Sequence, residues 1–462
     1  MSQKTLVNEI FSSESDTESR WRLYINRLLA EQISVFARYY DQLIQWMPRK
    51  EDTGILFDFI DVPQKKMIRD GESFPDLSQD KNSRTAILLN GNINYHYDIQ
   101  GLLMQLRRSL SRTSRVVLIV YNPYFSWLYR LANWMNIRRG EVPTTFITRE
   151  TLHELATLAG YSIVKTRLAV YFPWRLWGIG DIINNLMFII PGLRWLCLTY
   201  IAVLRPIIAE PAKPSLSCII PARNERGNIE NAIKRIPDLG CHLEIIFVEG
   251  NSTDDTWSEI NRVRERYGKN FDIKMYQQTG KGKGDAVRLG FSKATGDLLT
   301  ILDADLTMPP ELIGRFYDAY CTGLGDFING SRLVYPMEKQ AMRFLNRLGN
   351  VFFAKALSWG LDTDIGDSLC GTKLLAKHDY ERMIAWRKDF GDFDPFGDFE
   401  LIFPAGILGL GCVDIPVRYL ERTYGSTNIS RFKHGFMLLK MTLIGFIRIK
   451  IGAGNARSRR SQ

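Results

Sequence analysis

The sequence predicts two α/β units in series, a smaller one followed by a doubly wound one, on three observations. From Pro214 onward, short apolar β-rich runs alternate with amphipathic segments, as in a mostly parallel sheet flanked by helices. A second alternation of the same kind precedes it, and the connector between them, 205–214, carries three prolines. At 462 residues, with 45% apolar and 24% charged residues, the chain is long enough for two cores and too apolar to be disordered. The expected division is a polar N-terminus and first helix (1–38), a first α/β unit (39–206), a linker (207–214), a second α/β unit (215–435) and an amphipathic helix with a basic tail (436–462).

In the second unit, strands are expected at 216–221, 243–248, 272–276 and 298–302, with helices at 228–235, 256–267 and 284–294 between them. In the first unit, strands at 85–90 and 115–121 flank a helix at 99–110, followed by a helix at 149–159 and a strand at 161–171. Ligands of such sheets sit beyond the carboxyl ends of the strands, and three polar motifs of the second unit fall there. These are Arg223-Asn224-Glu225, Glu249-Gly250-Asn251-Ser252 and Asp303-Ala304-Asp305.

Composition narrows the setting. Six cysteines without paired short spacing argue against a zinc site or a disulfide framework and favour a reducing cytoplasm. The first twenty residues lack an apolar core and do not read as a secretory signal. The most apolar stretch, 186–209, is about long enough to cross a bilayer, but Pro191, Gly192 and Arg194 interrupt it, which disfavours a span. Segment 435–452 carries Lys440, Arg448 and Lys450 on one face, and Arg457, Arg459 and Arg460 follow. With a net charge of +10, this fits a helix lying on an anionic membrane, phosphate-rich substrates, or equally a solvated basic face. The expected location is cytoplasmic, at the cytoplasmic face of a membrane, with no nucleic-acid partner and no fixed oligomeric state.

Asp303 and Asp305, two carboxylates at the end of an apolar strand, can offer hard oxygens to Mg²⁺ or Mn²⁺. An isolated Asp-x-Asp is usually a solvated turn. Here Lys281-Gly-Lys-Gly284 precedes it at a helix start, where backbone N–H groups and the helix dipole favour anions.

The run from Gly280 to Glu311, GKGKGDAVRLGFSKATGDLLTILDADLTMPPE, resembles family-2 glycosyltransferases of the GT-A fold, in particular the dolichyl-phosphate mannose synthase and glucosyltransferase group. The resemblance covers about half the chain, roughly 214–435, and implies a doubly wound, nucleotide-sugar-binding domain. It further implies transfer of a hexose, with inversion, from a GDP- or UDP-sugar to an acceptor, first of all a polyprenyl phosphate. Pro221-Ala-Arg-Asn-Glu225 is similar to the family's Pro-Ala-Tyr-Asn-Glu, which places Pro221, Arg223 and Glu225 at the donor, with Arg223 in place of the usual aromatic. Val248-Glu-Gly-Asn-Ser-Thr-Asp254 is similar to Val-Asp-Asp-Gly-Ser-Thr-Asp, so Glu249 joins the donor set while Glu249-Gly250 departs from the acidic pair. Lys281, Lys283, Asp303, Ala304 and Asp305 complete the donor site, Asp303 and Asp305 as metal ligands.

Gly330-Ser331-Arg332 matches the stretch that nears the phosphates, and Asp367 to Lys373 resembles the acceptor loop. Asp398 stands where many family-2 enzymes keep the carboxylate that takes the acceptor's proton. Arg418 to Ser426, with Arg431 and His434, resembles the family's Arg-x-x-Gly-x-Ser segment. The resemblance therefore implies catalytic roles for Asp398, Arg332 and Arg422. It implies phosphate or acceptor contacts for Lys373, Arg422, Ser426, Arg431 and His434. For Asp398 the alternative is a salt-bridge or capping role, and for His434 a structural one.

The first unit, through the runs 87–110 and 145–173, resembles the C-terminal half of a class I methyltransferase fold. Binding S-adenosylmethionine there depends on a glycine-rich turn after the first strand. No such turn occurs between Asp52 and Arg84, and 54–62 runs on without a second glycine, so a degenerate domain without the cofactor is expected. Three other readings stay open: a family-2 transferase acting on a cell-surface polysaccharide or other glycan, a non-catalytic scaffold that binds a nucleotide sugar, and an active methyltransferase, which the absent glycine turn disfavours.

Overall fold

The computed structural model describes residues 17–80, 83–135, 141–190, 192–335, 344–390, 397–422, 424 and 431–447, without the side chains of 17–19, 344–346, 386–390 and 431–434. Both units are α/β, each built on its own sheet. The first sheet contains β1 (Gln42–Trp46), β2 (Gln64–Ile68), β3 (Thr85–Asn90), β4 (Arg115–Tyr121), β5 (Tyr161–Ala169) and β6 (Thr199–Pro206), in the order β2-β1-β3-β4-β6-β5. The first four run parallel, and β6 lies antiparallel between β4 and β5.

The second sheet contains β7 (Leu216–Ala222), β8 (Leu243–Glu249), β9 (Asp272–Gln277), β10 (Leu298–Ile301), β11 (Phe327–Ser331), β12 (Lys373–Ala376) and β13 (Cys412–Pro416), in the order β13-β11-β12-β10-β7-β8-β9. Strands β10, β7, β8 and β9 are parallel, and β12 is antiparallel to both its neighbours.

The central strands are buried on both faces because helices cover both sides, which is why β4 reads Val-Val-Leu-Ile-Val and β8 reads Ile-Ile-Phe-Val without alternation. The strands expected at 85–90 and 115–121 and the helix expected at 256–267 have those limits. The helix expected at 99–110 begins where the Asp98 carboxylate accepts from the Gly101 N–H and ends at Arg107, before a Ser-rich turn.

Two expectations for the first unit need correction. Its first strand is β1, ahead of the window 52–84, because the five residues Gln-Leu-Ile-Gln-Trp are too short and mixed to stand out. The stretch 54–62 does not run on extended: Gly54, at φ +74°, starts a short helix, Ile55–Phe59. The apolar stretch 186–209 is divided between the end of helix Ile179–Leu186, a short 3-10 turn and the buried strand β6. Among the described residues no helix is long and apolar enough to cross a membrane.

The two sheets meet through a seam of buried charge. The Asp326 carboxylate, just before β11, accepts from Arg112 Nε at 3.1 Å, Arg115 Nη2 at 2.7 Å and Arg205 Nη1 at 3.1 Å, and from the Gly411 N–H at 3.1 Å. Arg84, wholly buried, pairs with Asp379 at 2.5 Å and donates to the Leu408 carbonyl at 2.9 Å. Tyr40 Oη donates to that same carbonyl, and Lys165 Nζ to the Leu361 carbonyl.

Tyr40, Arg84 and Arg115 stand at the amino ends of β1, β3 and β4, and Asp326 and Gly411 at the amino ends of β11 and β13. The seam therefore joins edges opposite to the carboxyl ends of β1, β3 and β4, and leaves those ends facing away from the second unit. Burial alone would hold the Asp326 carboxyl protonated, but Arg205, Arg115 and Arg112 together drive its pKa far below the usual carboxylate range.

Candidate functional site

The second sheet reverses direction at β7: the chain steps outward to β8 and β9, then returns to β10 on the other side of β7. The crevice beyond the carboxyl ends of β7, β8 and β10 is thus its topological switch point. Three turns shape it, and each contains a non-glycine residue in the left-handed region: Asn224 at φ +56°, Asn251 at +57° and Leu306 at +54°. Asparagine tolerates that conformation; leucine does so only when its surroundings impose it. The turns are tied to one another. The Asn224 N–H donates to Ser252 Oγ, the Thr253 N–H to Asn224 Oδ1, and the Glu225 N–H to Thr256 Oγ1.

Asp303 and Asp305 follow β10 and face two different cations. Lys283 Nζ, at the start of helix Lys283–Lys293, contacts Asp303 Oδ1. Arg422 Nη2 donates to Asp305 Oδ2 at 2.5 Å, and Arg422 Nη1 lies 3.6 Å from Glu225 Oε1. Thr307 fixes the second carboxylate, donating from both its N–H (3.1 Å) and its hydroxyl (2.8 Å) to Asp305 Oδ1. Burial opposes ionisation of Asp303, yet Lys283 holds its pKa below the usual carboxylate value, with Lys373 and Arg332 adding to the effect. Burial likewise opposes the Lys283 charge, and Asp303 and Asp398 outweigh it and push that pKa up. Ala304 is buried between the two carboxylates.

Glu225 behaves differently. Burial pushes its carboxyl up to about 7, against the Asn228 amide and Arg422, with Asp305 and Asp254 adding negative charge nearby. Asn228 Nδ2 donates to it at 2.8 Å.

The loop 367–373 closes the crevice from the side of β12. A Cβ on Gly371 would lie 2.2 Å from Asp303 Oδ2 and 2.2 Å from Lys283 Nζ, so only glycine lets this loop approach the first carboxylate. Arg332 and Asp367 form a buried two-pronged pair, Nε to Oδ2 at 2.8 Å and Nη2 to Oδ1 at 2.9 Å, which fastens the loop to the end of β11. The Arg332 guanidinium also sits 5.4 Å over the Tyr419 ring. Lys373, wholly buried, donates to Asp398 Oδ1 at 2.6 Å and to the Cys370 carbonyl. Arg288 reaches both oxygens of Glu400, at 3.2 and 3.1 Å, and so holds the helix that follows Asp398 against the Lys283 helix.

From the far side the segment after β13 straps across the turns. The Leu420 N–H donates to the Thr307 carbonyl, Arg422 reaches Asp305 and Glu225, and Tyr424 Oη lies 3.4 Å from Asp254 Oδ2. Tyr424 packs on Gly227 so closely that a Cβ there would come within 2.7 Å of the ring.

Of the residues singled out from sequence, Glu225, Lys283, Asp303, Asp305, Lys373, Asp398 and Arg422 converge on this crevice. Arg332 is committed to Asp367 and lines the crevice from behind. Glu249 is buried and spends Oε1 on the Ser252 N–H at 2.5 Å, shaping the second turn. Arg223 and Lys281 are exposed at its mouth, and Pro221 is partly buried in β7. Ser426 and the side chains of Arg431 and His434 lie outside the described residues. Thr307, Asn228, Gly371 and Tyr424 take part without having been singled out; only the αL turns and cross-chain contacts of the folded state mark them. Among the described residues no three His, Cys, Asp or Glu side chains cluster as a metal cage, so Asp303 and Asp305 stand as a pair.

Comparison with known proteins places this crevice among relatives. Over 136 residues the chain is 38% identical to a dolichol-phosphate mannosyltransferase of Pyrococcus furiosus, covering 29% of this chain and 37% of that one. Over 235 residues it is 28% identical to an undecaprenyl-phosphate 4-deoxy-4-formamido-L-arabinose transferase of Enterobacter sp., covering 48% of this chain and 64% of that one. The chain thus spans between 37% and 64% of the length of these two curated relatives. Among solved structures, glucosyl-3-phosphoglycerate synthase of Mycobacterium tuberculosis bound to uridine diphosphate is 18% identical, with a TM-score of 0.37, over 51% of this chain and 80% of that one. Residues 217–377, which run from β7 through β12 and contain both carboxylates of the crevice, match the family model described as glycosyl transferase family 2.

Proposed function

We propose that the second unit is a GT-A-type, inverting glycosyltransferase that moves a hexose from a GDP- or UDP-sugar to a polyprenyl phosphate. The observation that carries this reading is the pairing of Asp303 and Asp305 with Lys283 and Arg422 at the switch point, beside a loop that comes close at Gly371. Two hard carboxylates suit Mg²⁺ or Mn²⁺, and the donor diphosphate would supply further oxygens. Such an ion, when bound, neutralises charge that grows on the leaving diphosphate.

The protein's own groups do the rest. Lys283 and Arg422 are cations already aimed at the diphosphate's place, and guanidinium geometry suits two phosphate oxygens at once. An oxygen of the acceptor phosphate attacks the anomeric carbon as the bond to the diphosphate breaks, releasing the nucleoside diphosphate with inversion. A phosphate acceptor is already ionised and needs no base. Asp398, neutralised by Lys373 at 2.6 Å, therefore serves to position the acceptor loop, as does the Arg332–Asp367 pair. The relatives named for dolichol phosphate and undecaprenyl phosphate support the lipid acceptor.

For the first unit we propose a methyltransferase-like fold without the methyltransferase's cofactor, acting as a buttress. The antiparallel β6 between β4 and β5 supports the fold, and the single glycine in the turn 47–54 supports the loss of the cofactor. Purified protein given labelled nucleotide sugars, Mn²⁺ and polyprenyl phosphate in detergent should yield labelled lipid. Label entering only soluble glycan would replace the lipid acceptor with a glycan.

A further inference from the structure

The segment 172–196 of the first unit exposes more apolar surface than a solvated loop tolerates. Its helix, Ile179–Leu186, presents Ile179, Ile182 and Leu186 to solvent at spacings of three and four, which is one helical face. The same face runs on to Ile183, which packs on the first core together with Met187 and Phe188 just beyond the helix, so this apolar face is only partly covered. The other side carries Asp181 and Asn185, so the helix is amphipathic and Ile179, Ile182 and Leu186 are the uncovered part of its apolar face.

Just before it, Leu176 at φ +36° and Trp177 at +52° occupy the left-handed region in succession, ahead of Gly178 at +98°. That backbone conformation is costly for such side chains, and here it leaves the Trp177 indole fully exposed. Trp174 and Trp195 flank it, also exposed, and Arg175 and Arg194 lie between them.

This surface continues onto the second unit. Phe188 and Arg194 line a groove with Trp359, and the Trp359 ring packs 4.7 Å from that of Phe446. Phe446 ends helix Arg431–Phe446, which exposes Phe436, Leu439 and Leu443 and contains Lys440 but no acidic residue. Helix Phe344–Leu361, packed beside it, carries Arg347 and Lys355 and likewise no acidic residue. Arg175 pairs with Asp181 at 3.0 Å and Asp362 also lines the groove, so the surface is a mixture of tryptophan, aliphatic side chains and mostly basic charge, the composition of a bilayer interface.

We propose that segment 172–196 is a membrane-docking element of the first unit, inserting Trp177, Ile179 and Ile182 into the headgroup region of an anionic bilayer. The first unit then has its own part in the reaction: it helps seat the crevice of the second on the surface that holds a polyprenyl phosphate. This deepens the lipid-acceptor reading given above, but its test needs neither donor nor acceptor.

The full-length protein is floated with vesicles of phosphatidylglycerol and phosphatidylcholine, and with vesicles of phosphatidylcholine alone. The wild type should rise with the anionic vesicles, and W177S/I179S/I182S should lower the bound fraction at least about tenfold, as expected from losing three interfacial apolar side chains. Nucleoside-diphosphate binding by calorimetry should be the same for both proteins, which shows the variant to be folded. Equal flotation of variant and wild type overturns the proposal. So does a wild-type dimer that the variant converts to monomer without changing flotation, since the face would then bind a second copy. Flotation lost in the variant while no labelled lipid forms with the wild type would leave the docking element standing and remove the acceptor assignment.

Discussion

In both sheets the chain enters at an interior strand, runs outward on one side and returns on the other, so each has a switch point: β1 against β3 in the first, β7 against β10 in the second. At the first, one carboxylate collects its neighbours' hydrogen bonds, although the buried Gln45 Oε1 has no partner among the described residues. Asp52 accepts from Gln45 at 2.6 Å, from Asn90 at 2.9 Å and from the Gly54 N–H at 2.9 Å. Arg49 fills the space above, stacked 3.6 Å over Tyr95 and paired with Glu51 at 3.0 Å. At the second, two carboxylates face two cations, Lys283 and Arg422, against a loop that comes close at Gly371. Topology provides a place for a ligand at both edges, and under the function proposed above only the second holds one.

The largest effect that would break this contrast is on transfer itself. Asp303→Ala should lower the rate by about 10²–10³-fold or more with the fold intact by circular dichroism, whereas Asp52→Ala should leave it within about threefold. A comparable loss from Asp52→Ala would mean that the first edge takes part in the reaction.

Gly371→Ala tests the close approach of the loop. A Cβ set 2.2 Å from both Asp303 and Lys283 must displace them, so transfer should fall about a hundredfold while the melting temperature stays near wild type. Unchanged transfer would show that the loop moves freely and that the close approach does not define the site.

The seam sharpens the comparison from the other side. Asp326→Asn leaves three buried guanidinium groups short of their counter-charge, and a loss of about 3–5 kcal/mol in denaturant unfolding is expected. The Asp326 pKa is depressed in the folded protein, so its contribution is present above the unfolded value of about 3.9 and is lost as pH falls below it. Wild-type stability should therefore fall steeply on acidification, and the variant's less so.

The smallest effect concerns Glu225. Its pKa is raised to about 7, so between its ordinary value and 7 the folded protein binds the extra proton, and this group's contribution to stability declines as pH rises through that window. Nucleoside-diphosphate affinity should titrate near pH 7 in the wild type and lose that step in Glu225→Gln. A step that persists in Glu225→Gln belongs to another group.

The first half of the second unit was legible in sequence because β7, β8 and β10 are largely buried and stand out as apolar runs ending in polar turns. Strands β11, β12 and β13 were not expected: β11 reads Phe-Ile-Asn-Gly-Ser, β12 is four residues long and β13 is only partly buried. Strand β1 was not, since Gln42–Trp46 carries two glutamines in five residues, one of which is buried against Asp52. Lys283, Asp303 and Asp305 could be found from local pattern. The commitment of Arg332 to Asp367 could not, because a pairing across 35 residues leaves no local trace. The same holds for the seam, where Arg84, Arg115 and Arg205 read as ordinary surface cations until Asp379 and Asp326 are seen beside them.

The most direct measurement is the transfer of labelled sugar to polyprenyl phosphate by wild type and Asp303→Ala, with Mn²⁺ and with chelator. Lipid-linked label that depends on both Asp303 and the divalent ion is the result predicted. Equal label with Asp303→Ala, or none from any nucleotide sugar with the wild type, would contradict the assignment of the crevice.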